Sequence, residues 1–138
     1  MKPNGLELGQ LTGHDGIRLE KAAEQGDFSP ALNAAEPLLQ QGVQEIVLTL
    51  GGAGALLITS EGAWKATPPP TTVSSTVGAG DCSLAGYLIA RQQGLSPAEC
   101  LRSAVAYGSA AAALPGTQIP VPSEVNFTET LVSPIPAQ

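Results

Sequence analysis

The chain has 138 residues, 43% of them hydrophobic, and a formal charge of -6 from twelve Asp and Glu against six Lys and Arg. That length and apolar content suit one folded domain and exclude a wholly disordered chain. A pI near 4.5 argues against nucleic acid and anionic membrane as partners, since neither is attracted to an acidic surface.

A phosphorylated ligand would therefore have to be held by backbone N–H groups and helix N-termini rather than by a basic patch. The two cysteines, Cys82 and Cys100, come with no charged-then-apolar leader. This argues against a secreted disulfide scaffold and makes the cytoplasm the expected location. The longest mainly apolar stretch, Ala104 to Leu114, is too short to cross a bilayer.

In chain order, Asn4 is placed to cap a helix carrying Leu8 and Leu11 on one face, with Glu7 at its third position and Gly13 as its stop. On spacing alone, Asn4 and Glu7 read as a capping box. Gly16 to Gln25 reads as a polar helix. Ser29-Pro30 is expected to cap another, through Leu32, Ala35, Leu38 and Leu39 to Gly42, kinked or split at Pro37. Glu45 to Leu50 is a β-branched run without alternation, the pattern of a strand buried on both faces of a parallel sheet.

After Gly51-Gly52-Ala53-Gly54, Ala55 to Thr59 reads as a second strand, and Ser60-Glu61-Gly62 turns into a third around Ala63 to Ala66. A dinucleotide fingerprint would need a helix after those glycines, so an oxidoreductase reading fails at this point. Pro68-Pro69-Pro70 is an extended connection to Ser74-Ser75-Thr76-Val77-Gly78-Ala79-Gly80-Asp81. Leu84, Ala85, Leu88 and Ile89 then repeat at helical spacing as far as Gly94. Ser96-Pro97-Ala98-Glu99 opens a partner helix through Leu101, Ala104, Val105, Gly108 and Ala112, whose small residues permit close approach. The tail is Pro-rich, with one short helix expected from Ser123.

The Gly78 to Asp81 turn before an apolar helix is the chemically informative segment. Free N–H groups at a helix start converge on one point, and glycines let an anion approach the backbone closely. A carboxylate among those donors competes with a phosphate unless it serves as base for a hydroxyl attacking that phosphate. Spacing alone leaves two readings of Asp81 standing, helix cap and general base. His14 reads as a surface residue, Cys82 as a small packing residue at a helix start, and Trp64 as packing on the hairpin.

Four segments in order resemble the ribokinase/phosphofructokinase-B (PfkB) family of sugar kinases, in its phosphosugar branch. They are Lys2-Pro3-Asn4 with Glu7, Thr49 to Gly54, Ser75 to Asp81, and Val105 to Ala111 running on to Gly116-Thr117. That branch includes 1-phosphofructokinase, type-2 6-phosphofructokinase and tagatose-6-phosphate kinase. The resemblance implies an α/β fold, part of a ribokinase-like three-layer α/β/α sandwich, Rossmann-like, with a C-terminal hairpin and helix pair. It implies one unit over residues 1–138, the C-terminal nucleotide-binding and catalytic portion of such a kinase, without the N-terminal half and lid.

For the site, the resemblance makes Asp81 the catalytic base and Gly78, Ala79 and Gly80 the cradle of the transferring phosphoryl group. Lys2, Asn4, Thr49, Gly51, Gly52, Gly54, Val105 and Ser109 would contact ATP. Asn4 and Glu7 would support Mg2+ through water. Some family members take a monovalent cation, here K+, for which Ser75, Val77, Ala111, Leu114, Gly116 and Gln118 hold the corresponding positions.

The implied reaction is ATP-dependent phosphorylation of a phosphorylated ketohexose, fructose 1-phosphate or fructose 6-phosphate, to fructose 1,6-bisphosphate. The alternative is a catalytically incomplete nucleotide-binding fragment or remnant of such a kinase. Since family chains are about twice this length, the resemblance also implies a partner, either the missing N-terminal half or further copies of the chain.

Overall fold

A computed structural model of the chain describes residues 1–50, 53–69, 79–114 and 119–136. The chain divides into two compact units, Met1–Lys65 with Pro134–Gln138, and Ala66–Ser133. The elements are α1 (Gly5–Thr12), α2 (Gly16–Glu24), α3 (Ser29–Gln40), β1 (Glu45–Thr49), β2 (Ala55–Thr59), β3 (Gly62–Thr67), α4 (Ala79–Gln92), α5 (Pro97–Ala113) and β4 (Leu131–Ile135). A 3₁₀ turn at Pro122–Glu124 takes the place of the short helix expected from Ser123.

In the first unit, each helix is bounded by local chemistry. α1 starts at the capping box anticipated from Asn4 and Glu7 and stops at Gly13, whose φ of 74° is left-handed. α2 is capped by Asp15, whose carboxylate accepts from the Ile17 and Arg18 amides. The expected cap of α3 is corrected. Ser29 is the first helical residue, Phe28 occupies the cap without a side-chain bond, and the Asp27 carboxylate receives the Ser29 amide at 3.1 Å. α3 runs on through Pro37 as a single helix. Its neighbours Ala34, Ala35 and Leu38 are buried, so packing outweighs the amide that proline lacks.

The sheet order is β1-β2-β3-β4. β1 and β2 pair antiparallel, with Ile46 opposite Ile58, Val47 opposite Leu57 and Leu48 opposite Leu56. The parallel neighbour expected of β1 lies instead on its other edge. There Met1 to Asn4 run alongside, with the Val47 amide bonded to the Met1 carbonyl at 2.8 Å and the Thr49 amide to the Pro3 carbonyl at 3.0 Å. Asn4 and Thr49 form a parallel bridge.

β1 is thus hydrogen-bonded on both edges, and its central residues Ile46, Val47 and Leu48 are all buried, as the unbroken apolar run anticipated. Ile46, Leu48, Leu56 and Ile58 join Leu8, Leu19, Ala31, Ala34, Ala35 and Leu38 of the three helices in one core. The two-residue Ser60-Glu61 connection between neighbouring strands requires an antiparallel β2-β3 hairpin, as anticipated. β4 was not legible in the sequence. It sits at the sheet edge, the one place where Pro134 costs no ladder hydrogen bond.

The second unit is built on α4 and α5, joined by only four residues, Gln93 to Ser96, and therefore antiparallel neighbours. Ser96 caps α5, accepting the Glu99 amide at 3.3 Å, with Pro97 next. α5 is the buried member, with Cys100, Leu101, Ala104, Val105, Ala106 and Gly108 all inside.

The apolar stripe expected to bury α4 does not do so. Leu84, Leu88 and Ile89 are 40%, 55% and 46% exposed, and the buried residues are Gly86, Tyr87 and Ala90. The face of α4 turned to α5 is the small one, Ala79, Ser83 and Gly86, because close helix approach selects for lack of side chain. The segment after α5 folds back on it. Phe127 meets Tyr107 edge-on, with ring centroids 5.8 Å apart, and the Arg102 guanidinium donates to the Thr130 carbonyl at 2.9 Å. Both cysteines are free thiols.

Candidate functional site

The sequence-derived site residues fall into two groups, one in each compact unit. In the first, the end of β1 and the start of α1 meet. Lys2 lies in the segment paired parallel to β1, half-buried, and Asn4 bridges to Thr49 where that strand ends. Chain direction makes this the carboxyl end of a parallel strand pair, where ligands of open α/β sheets bind. The four N–H groups of the α1 start point to the same end.

The capping box is reciprocal. Asn4 Oδ1 accepts the Glu7 amide at 2.8 Å, and Glu7 Oε1 accepts the Asn4 amide at 2.9 Å. Both residues are exposed, and the second carboxylate oxygen of Glu7 has no bond to a described residue. One carboxylate can therefore cap the helix and still present an oxygen outward.

Immediately beyond, the Leu50 amide donates to the Gly54 carbonyl at 2.8 Å and the Ala53 amide to the Leu50 carbonyl at 3.2 Å, closing the turn between β1 and β2. Gly54 is buried with φ of 97°, a conformation that only glycine adopts without strain. Because the next element is an antiparallel strand and not a helix, the dinucleotide-fingerprint reading is excluded by the structure as well. Gly51 and Gly52 lie outside the described residues.

In the second unit, Ala79, Gly80 and Asp81 form the first described turn of α4, and Gly78 lies outside the described residues. Asp81 is exposed and sits inside the helix rather than at a cap position. Asn4, Asp15 and Ser96 each accept a backbone amide at their helix starts. Asp81, by contrast, has no hydrogen-bond or ion-pair partner among the described residues. Its carboxylate thus projects from the positive end of the helix dipole, where backbone N–H groups are unsatisfied.

The antiparallel packing brings this turn beside the last third of α5. A methyl group added to Gly108 would lie 3.4 Å from the Ala79 carbonyl oxygen and against the Ser83 side chain. Ser109 and Ala111 follow directly on α5, and Val105, three residues before Gly108, is buried. Leu114 closes the helix, its amide donating to the Ala111 carbonyl at 3.2 Å. Ser75, Val77, Gly116 and Gln118 lie outside the described residues.

The donor set of the first group is all oxygen, the chemistry of a hard divalent cation such as Mg2+. No three His, Cys, Asp or Glu side chains converge among the described residues. Asn4 and Glu7 therefore fit a water-rich Mg2+ shared with phosphate, which commonly uses only one or two protein ligands. No helix among the described residues is long and apolar enough to cross a membrane.

Sequence reasoning missed Ser83, Gly86 and Ser103, which set the α4/α5 contact. The signal was present as small residues at Ala79, Ser83, Gly86 and Ala90, a 4-3-4 spacing overshadowed by the larger Leu84, Leu88 and Ile89.

The profile of the pfkB family carbohydrate kinases matches residues 1–124. A 1-phosphofructokinase from Haloferax volcanii is 37% identical over 131 residues, covering 95% of this chain and 40% of the relative. Phosphofructokinase-2 from Escherichia coli, solved in complex with substrates and products, superposes with a TM-score of 0.71 at 32% identity, over 89% of this chain and 37% of its own. The same enzyme has been solved in complex with potassium. Ribokinase from Thermotoga maritima superposes with a TM-score of 0.72 at 25% identity, over 89% of this chain and 39% of its own. The chain thus spans about 40% of the length of these relatives and has part of a ribokinase-like α/β fold. With the profile covering most of its length, the chain belongs to the pfkB family of carbohydrate kinases.

Proposed function

We propose that the chain is the C-terminal, nucleotide-binding and catalytic portion of a phosphosugar kinase that transfers the γ-phosphoryl group of ATP to a hydroxyl of a phosphorylated ketohexose. The observation that carries this reading is Asp81, an exposed carboxylate in the first turn of α4 with no capping bond and no described partner. A carboxylate there is favoured by the helix dipole but caps no amide, and that freedom beside the amides of the helix start is what a general base needs. The Haloferax and Escherichia relatives, both named phosphofructokinases, support fructose phosphates as acceptors.

In this mechanism the Asp81 carboxylate takes the proton from the acceptor hydroxyl as its oxygen bonds to the γ-phosphorus. The bond from that phosphorus to the β,γ-bridging oxygen breaks, and ADP leaves with the electron pair. The amides of Ala79 and Gly80, with Gly78, receive the charge that spreads over the transferring oxygens. By the family resemblance, Thr49, Gly51, Gly52 and Gly54 line the ATP site, with Lys2 near the phosphates and Val105 and Ser109 beside the nucleoside. Asn4 and Glu7 would hold Mg2+ through water, and its charge would neutralise that of the phosphates. A K+ site would draw on carbonyls at the negative end of α5, Ala111 and Leu114, with Ser75, Val77, Gly116 and Gln118. Its precedent is the potassium complex of phosphofructokinase-2.

A second reading is a nucleotide-binding remnant without turnover. ADP release from ATP and Mg2+ with fructose 1-phosphate, fructose 6-phosphate or tagatose 6-phosphate separates the two. Turnover that falls at least about 10²-fold in Asp81→Asn, with ATP affinity by calorimetry unchanged, supports the base role. ATP binding without turnover selects the remnant. Turnover retained by Asp81→Asn removes Asp81 from the mechanism.

A further inference from the structure

We propose that the α4/α5 contact at Gly86 and Ser103 is a spacing lock that holds the Asp81 turn at a set distance from Ser109, so that Gly86 and Ser103 are positioning residues for the nucleotide. This rests on the phosphotransfer reading above, in which one end of ATP lies at the start of α4 and the other beside α5.

Three contacts build the lock. A methyl group at Gly86 would lie 2.8 Å from the Ser103 carbonyl oxygen and 2.8 Å from Cδ2 of Tyr107. The first of these is backbone and cannot rotate aside, so any side chain at 86 has to push the helices apart. The Ser103 hydroxyl donates to the Gly86 carbonyl at 2.8 Å, a buried bond between the two helices that also fixes their sliding register. Tyr107 in turn has Phe127 against it edge-on, at 73° between ring planes, which restricts its retreat from Gly86. The ordinary device for holding two helices together, a stripe of large apolar residues, is absent from this face of α4, whose Leu84, Leu88 and Ile89 are exposed. Contact of backbone with backbone gives a shorter and less adjustable spacing than a layer of leucines.

The geometry links this contact to the site. Gly86 is five residues from Asp81 and Ser103 six from Ser109, about 7.5 and 9 Å along their helices at 1.5 Å per residue. Helices transmit such displacements nearly rigidly. A ligand that bridges the start of α4 and the last third of α5 therefore senses the interhelix distance, whereas one that touches α5 alone does not. Misplacement by about 1 Å can cost as much as 10²-fold in a site that must align two groups.

The test compares ATP with adenosine by calorimetry on the parent chain, Gly86→Ala, Ser103→Ala and the exposed control Leu88→Ala, with thermal melts to verify folding. Gly86→Ala is expected to weaken ATP about tenfold while adenosine changes less than about twofold. Ser103→Ala, which adds no volume, should shift in the same direction by about three-fold and carries the test if Gly86→Ala fails to fold. Leu88→Ala should match the parent for both ligands.

Equal losses of ATP and adenosine in Gly86→Ala and Ser103→Ala would reduce the contact to ordinary packing and overturn the lock, as would parental affinity in both variants. A parent chain that binds no ATP would overturn the phosphotransfer reading itself, and the lock with it. That outcome is distinguished from failure of the lock alone by the parent titration.

Discussion

At the scale of single residues, Asn4 combines two tasks that chemistry can separate. Its amide oxygen caps α1, and its position at the end of β1 places it among the residues proposed to support Mg2+. Asn4→Ala is expected to lower unfolding free energy in urea by about 1 kcal/mol, because an amide of the first helical turn loses its acceptor. Asn4→Asp keeps the cap, so its stability should stay within about 0.5 kcal/mol of the parent while its Mg2+ dependence changes. A metal dependence that follows stability across both variants would remove Asn4 from the cation site.

Gly54 is simpler. With φ of 97° in a buried turn, Gly54→Ala should cost about 1–2 kcal/mol in the same assay. These residues were legible in the sequence because a cap or a left-handed turn involves near neighbours in the chain. Asp81 was only half legible. Its position after two glycines was evident, but its lack of a capping bond required knowing that α4 already includes Ala79 and Gly80.

At the scale of elements, α3 shows packing prevailing over propensity. Pro37 lies inside a helix that continues three residues beyond it, with Ala34, Ala35 and Leu38 buried around it. A proline in a helix interior costs about 3 kcal/mol relative to alanine. Pro37→Ala is therefore expected to raise the midpoint of thermal or urea unfolding, by up to about that amount in free energy. A lowered midpoint would mean that the proline ring itself fills core space.

α4 presents the opposite case, in which the periodicity defines a shared apolar face but not the direction in which that face turns. Leu84, Leu88 and Ile89 do share a face, but the exposed one. The helix packs through Ser83 and Gly86 because Gly108, Ser103 and Tyr107 meet them there. β4 escaped notice for a related reason. A strand at a sheet edge can contain proline and needs no alternating pattern, so nothing local distinguished it from the Pro-rich tail.

At the scale of the whole molecule, exposed Leu84, Leu88 and Ile89, in an acidic chain with few aromatics, predict self-association as concentration rises. Leu88→Ser with Ile89→Gln should increase the monomer fraction in sedimentation velocity with a change in melting temperature of less than about 2 °C, since neither side chain lies in the core. An unchanged distribution would show that this face does not drive association.

The amino-acid sequence by itself determined the start and stop of α1, the start of α5, the two strands around the Gly51 to Gly54 turn, and the four ordered segments that resemble sugar kinases. Each of these depends on residues adjacent in the chain or on a motif read in a line. Only the tertiary structure decided that β1 lies between an antiparallel hairpin partner and the parallel Met1 to Asn4 segment. It alone decided that α4 turns its small face to α5, and that the Asp81 turn therefore comes level with Gly108. The reason is physical: hydrophobic pattern states which residues can be buried, while the choice among partners is made by shape and hydrogen bonding between segments far apart in sequence.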